Sequence, residues 1–175
     1  MSINSNVLEQ MVTNHGTDLK TLSHNFPILL VFLRHFGCVF CKEALEDIRN
    51  IESELKDRNV QVVFVHMGEE SDAQPFFDKY KLAHMPRVAS PDQSFYKMFH
   101  LGRGRASQLA SFTVFLRGFE AASKGHYPGA ILGDGFQMPG VFLVKQGRVV
   151  YEYRHSTAAE RPDYLQIVAD HSDLS

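Results

Sequence analysis

Cys38 and Cys41 are the only cysteines in a chain of 175 residues, and they stand three apart in HFGCVFCKEALEDI, residues 35–48. On a helix that spacing brings two thiols onto neighbouring positions. One can attack a disulfide or a peroxide as a thiolate, and the other can resolve the product by closing an intramolecular disulfide. That is a complete two-electron redox cycle. Two other readings compete with it: a pair of core cysteines that happen to lie close, and half of a zinc site. Zinc takes four ligands, and the sequence has no second CxxC, so histidines or another chain would have to complete that site.

The chemistry depends on the elements that carry the pair. FPILLVFLR, residues 26–34, is a short continuous apolar run behind Pro27, the pattern of a strand buried on both faces. From Cys38 the apolar period changes to three and four, through Cys41, Leu45, Ile48 and Leu55, which predicts an amphipathic helix to about Lys56. Cys38 then stands at the helix start, where unpaired amides and the positive helix end favour a thiolate. Arg34, Lys42 or a charged His35 could add to this. Cys41, one turn inside, is expected to be the more enclosed thiol.

Further along, NVQVVFVHM (59–67) predicts a second strand, and SDAQPFFDKYKL a helix capped by Ser71 and Asp72 with Pro75 in its first turn. PRVASPD predicts a short strand and QSFYKMFHL a short helix. Residues 102–135 read as a loop-rich insertion with a helical stretch in QLASFTVFLRGF, and its Arg103 and Arg105 as a solvated basic loop or an anion site. MPGVFLVKQGRVVYEYRH gives a hairpin turning at Gln146 and Gly147, and AAERPDYLQIVADH a closing helix. Before the first strand, VLEQMVTNHGTDLKTL suggests a hairpin about Gly16. Alternating strands and helices make this an α/β chain with a largely parallel sheet, and no linker divides residues 1–175 into more than one domain.

Composition adds limits. Apolar residues make up 44% and charged residues 22%, ordinary globular values, and a net charge of −2 gives no general attraction for nucleic acid or an acidic membrane. No segment reaches the roughly 20 apolar residues of a membrane span, and the N-terminus has no signal-peptide core. A cytoplasmic protein is expected, in which a close cysteine pair does redox work or binds metal.

A buried strand running into CxxC on a helix, with a proline far downstream before a strand, hairpin and closing helix, resembles the thioredoxin fold from about residue 12 onward. That resemblance implies a central mixed sheet flanked by helices, with N-terminal and central insertions. MPGVFLV, residues 138–144, corresponds to the loop whose cis-proline faces the cysteines in that fold. A cis Met138–Pro139 bond is therefore implied, with Gly37, Met138 and Pro139 supporting the pair. More finely, FLRHFGCVFCKE, YKLAHMPRVASPDQSFYKMFHLGRG and GVFLVKQGRVVYEYRH resemble the peroxiredoxin-like branch of the alkyl hydroperoxide reductase and thiol-specific antioxidant superfamily, the group with the selenoprotein L-like proteins.

The sequence departs from that family at its site, where two of three motif positions differ and the arginine is replaced. Peroxiredoxins proper carry Pro-x-x-x-Thr-x-x-Cys; with Cys41 in the peroxidatic place, Cys38 stands on the threonine and Arg34 on the proline, and the family's peroxide-polarising arginine falls on Pro139. Two registers follow. In the thioredoxin register Cys38 attacks and Cys41 resolves, and in the peroxiredoxin register the order reverses; the helix argument favours Cys38. The resemblance implies a peroxiredoxin-like thiol peroxidase or thiol-disulfide oxidoreductase acting on peroxides or protein disulfides. A thioredoxin, glutaredoxin or glutathione system would supply electrons, and no bound organic cofactor or metal is implied. The alternative is a binding or sensor module in which the pair senses oxidation or holds zinc without turnover.

Overall fold

The computed structural model describes residue 3, residues 5–105 and residues 134–171. Most of the 102–135 segment, including the stretch expected to be helical, lies outside the described residues. The elements are α1 (Ser5–Gln10), α2 (Leu19–Asn25), β1 (Ile28–Phe32), α3 (Val39–Asn50), α4 (Glu52–Asp57), β2 (Gln61–His66), α5 (Glu70–Lys79), β3 (Arg87–Ala89), α6 (Ser94–Met98), β4 (Gly140–Lys145), β5 (Arg148–Arg154) and α7 (Tyr164–Asp170).

The strands form one sheet in the order β3-β2-β1-β4-β5. β1 runs parallel to β2 and antiparallel to β4, and β2 runs parallel to β3, so the sheet is mixed and the apolar run of β1 lies at its centre. Every residue of β1 is buried. Side chains alternate between faces. Leu29, Val31 and Leu33 join Cys38, Cys41, Leu45, Ile48, Phe77 and Tyr164 in one core, whereas Ile28, Leu30 and Phe32 join Leu8, Leu19, Tyr96, Phe99 and Phe142 in the other. The cysteines therefore belong to the layer of α3, α5 and α7.

The hairpin at the C-terminal end of the sheet forms as expected, with Gln146 at φ 49° and Gly147 at φ 71°, the left-handed pair that a tight turn between twisted strands requires. The N-terminal hairpin does not form. Gly16 does lie in a turn, closed by a single bridge between Val12 and Asp18, but helices flank it. Asp18 caps α2 by accepting from the Thr21 amide at 2.9 Å, while Leu8, Met11 and Leu19 are buried against the sheet. The long helix from Cys38 is interrupted at Ile51 (φ −109°, ψ 10°), and α4 restarts from there. In α5 the N-cap is Glu69, not Ser71 or Asp72, and Pro75 sits inside the helix beyond its first turn.

A buried cysteine pair at a helix start

β1 ends at Phe32, and the chain reaches α3 through a turn in which the Cys38 amide donates to the His35 carbonyl at 3.0 Å, with Phe36 and Gly37 at its centre. Cys38 is the N-cap of α3, in extended conformation and without a side-chain capping bond, and Cys41 lies inside the first turn. Both are free thiols and both are buried, at 5% and 4% exposure. The expected difference in accessibility is therefore absent: the strand-to-helix turn folds Cys38 into the same core as Cys41.

The difference between them is electrostatic. The Cys38 thiol is lowered to about 6, first by a hydrogen bond from Cys41, against burial, and then by the charge of Arg34 and the amides of Cys41 and Phe40 at the helix start. Cys41 is pushed up, first by burial and then by its bond to, and the charge on, Cys38. Cys38 is the thiolate of the pair.

Arg34 addresses both sulfurs. Its main-chain amide donates to Cys41 Sγ at 3.0 Å, and its Nη1 donates to Cys38 Sγ at 3.2 Å. Nε donates to the Gln137 carbonyl at 3.0 Å and Nη2 to the Gly135 carbonyl. His35 plays no matching part. Burial, with the charges of Arg34 and Lys42, lowers its imidazole to about 4, so it is neutral at neutral pH and lends the thiolate no positive charge.

The downstream loop closes on the same place. Met138 is buried and fits where Gly104 has no side chain: a Cβ there would lie 2.7 Å from Met138 Sδ. Pro139 lines a cleft with Cys41, Phe40, Val141, Ala158 and Tyr164. The Met138–Pro139 peptide is trans, contrary to the implied cis bond. The chain enters β4 already extended there, with a bridge between Arg103 and Gln137, Met138 N–H bonded to the Gly102 carbonyl at 3.1 Å, and the Pro139 carbonyl accepting from His155 N–H at 3.3 Å. Arg34 thus contacts both sulfurs and Pro139 shares a cleft with Cys41, while Gly37 lies in the turn before Cys38 and Met138 packs against Gly104.

Three contributors carry no signal in the sequence. Gln137, 2% exposed, donates from Nε2 to the carbonyls of Leu101, Gly102 and Met138 at 3.0 to 3.2 Å, fixing the loop that holds Arg34. Glu43, at 3% exposure, lines the cleft and pairs with Arg161 Nη1 at 3.0 Å. Arg161 comes from the segment before α7. Arg103 is not a free anion site: its Nε pairs with Asp134 at 2.6 Å, and its guanidinium lies over Phe136. Among the described residues, no group of three or more His, Cys, Asp or Glu is placed to hold a metal ion. No helix among them is long and apolar enough to cross a membrane.

Comparison with known proteins gives the setting. A family model described as AhpC/TSA antioxidant enzyme matches residues 47–157, more than half of the chain, beginning just after the cysteine pair. Peroxiredoxin-like 2C of Bos taurus is 33% identical over 84 residues, 47% of this chain; the match spans only 36% of that protein. Prostamide/prostaglandin F synthase of Danio rerio is 24% identical over 171 residues, covering 95% of this chain and 84% of its own. In fold, the chain is similar to a cysteine mutant of peroxiredoxin 6 of Arenicola marina, with a TM-score of 0.66 at 11% identity, over 94% of this chain and 68% of the other.

Proposed function

The chain belongs to the AhpC/TSA antioxidant enzyme family, a family of thiol redox proteins on a thioredoxin-like fold, and from that premise we propose that it cycles Cys38 and Cys41 between dithiol and disulfide while reducing peroxides or protein disulfides. One observation carries the reading: Cys38, at the start of α3, is hydrogen-bonded by Arg34 and lowered by its neighbour Cys41, so a nucleophile and a resolving thiol stand together. Cys38 attacks and Cys41 resolves. A thioredoxin, glutaredoxin or glutathione system returns the electrons, which suits a reducing compartment such as the cytoplasm.

The test is a single-turnover oxidation of reduced protein by hydrogen peroxide and, separately, by a peptide disulfide, followed by thiol titration. Wild type is expected to lose both thiols to at least one of the two oxidants far faster than free cysteine does, Cys38→Ser to lose that reactivity, and Cys41→Ser to stop with one thiol consumed, as a sulfenic acid or a mixed disulfide. Loss of fast reaction in Cys41→Ser alone would reverse the assignment of the two sulfurs. No reaction beyond that of free cysteine with either oxidant would sink the enzyme and favour a sensing or binding module.

A further inference from the structure

Arg34 follows β1 by two residues, and its guanidinium is enclosed, the residue being 7% exposed. A guanidinium does not shed its proton in a protein, so burying one requires compensation by negative charge or well-aimed dipoles. Here the carbonyls of Gly135 and Gln137 supply dipoles, and the Cys38 sulfur, 3.2 Å from Nη1, supplies charge when it is a thiolate. Asp134, whose charge interacts with Arg34, is already paired with Arg103, and Glu43 and Asp47, which line the same cleft as Arg34, are paired with Arg161. Gln137, which supplies one of these carbonyls, is itself anchored by its Nε2, which donates to the carbonyls of Leu101 and Gly102. The cation is therefore held in place whether or not the thiolate is there.

A disulfide carries no charge. Closing it takes the anionic partner away from a cation that cannot leave, whereas reducing it gives the partner back. Whatever stabilises the reduced form of a cysteine pair makes its disulfide a stronger oxidant, and a well-stabilised thiolate is also the better leaving group when a reductant attacks.

We propose that Arg34 is the residue that sets the direction of this redox pair: by favouring the dithiol it makes the Cys38–Cys41 disulfide easily reduced, and suits the dithiol to oxidation by hydroperoxides but not by stable protein disulfides. This rests on the cycle proposed above. The Cys38 thiolate attacks the terminal oxygen of the hydroperoxide; the S–O bond forms as the O–O bond breaks, and the alkoxide leaves and takes a proton from water. The sulfur has lost two electrons and the peroxide has become an alcohol. Cys41 then gives up its proton and attacks the Cys38 sulfur, expelling hydroxide, which with that proton is water. Two thiols of a glutathione or dithiol-protein reductant supply two electrons, and one proton returns to Cys41 while Cys38 stays a thiolate.

That single proton is measurable. The full-length protein is equilibrated with reduced and oxidised glutathione from pH 6.5 to 8, and the disulfide fraction is read by alkylation. Because two glutathione thiols lose two protons and the wild-type pair takes up one, its reduction constant is expected to rise about tenfold per pH unit. Arg34→Met is expected to flatten that dependence and lower the constant at pH 7 by roughly three- to tenfold, and Arg34→Lys to restore most of the slope. A flat wild-type profile overturns the proposal, and it does so without any variant needing to fold. An Arg34→Met profile as steep as wild type overturns it too. Failure to form a disulfide in any buffer is a different result: it removes the cycle, and the role of Arg34 with it.

Discussion

Cys38 and Cys41 are nearly equal in burial and opposite in electrostatics, so their reactivities should separate along the pH axis. Alkylation of reduced protein by iodoacetamide is expected to show one thiol that becomes reactive as pH rises through about 6, well below an ordinary cysteine, and a second that stays slow to the alkaline limit. The sign follows from the thiolate being the nucleophile: below pH 6 Cys38 takes up its proton and both rates fall. A single transition near the usual cysteine value would remove the assignment of Cys38. The pair and Arg34 were legible because each announces itself by type and nearness along the chain. Gln137 and Glu43 were not, because a polar side chain reads as surface until its partners are known, and those of Gln137 are at Leu101 and Gly102 and that of Glu43 at Arg161. His35 misled for the same reason, since its neutrality comes from burial.

At the level of elements, a tight joint lies where the proline loop becomes β4. A Cβ on Gly140 would meet Leu101 Cδ2 at 2.7 Å, Phe142 Cε2 at 3.1 Å and the Tyr153 carbonyl at 3.2 Å, whereas one on Gly102 would meet nothing within 4 Å. In urea unfolding, Gly140→Ala is expected to cost about 1–3 kcal/mol, the range for overpacking a filled core, and Gly102→Ala to be close to neutral. Equal effects would mean that the joint has slack. The strands were readable as apolar runs bounded by polar ends. The trans Met138–Pro139 peptide was not, since the family resemblance carried a cis geometry that the extended entry into β4 does not keep. The N-terminal helices were hidden by a turn that mimics a hairpin, and only their burial against the far side of the sheet separates the two.

Over the whole molecule, acid should weaken the fold through its enclosed histidines. His66 is fully buried between the rings of Phe36 and Phe77, with Glu70 Oε2 3.7 Å from Nε2, and burial lowers it to about 4 although Glu70 opposes that shift. His155 is lowered to about 4 by burial as well. The unfolded chain binds these protons near pH 6.5 and the folded chain only near 4. Between those values the unfolded state holds more protons, so stability falls as pH falls. His66→Phe, which keeps the ring packing, is expected to reduce that slope by about 1.4 kcal/mol per pH unit in denaturation curves taken from pH 4 to 6.5. An unchanged slope would show that His66 is charged in the fold.

The enclosure of both sulfurs at 5% exposure or less has a kinetic side as well. A reagent must come to such a sulfur through whatever opening the surrounding side chains leave, so admission is decided by girth before reactivity matters. The terminal oxygen of a hydroperoxide presents a narrow tip, whereas a disulfide within a protein arrives flanked by two polypeptide segments. On the proposed cycle, the packing that gives α3 its core is therefore expected to act as a sieve too, sorting oxidants by shape ahead of any bond being made.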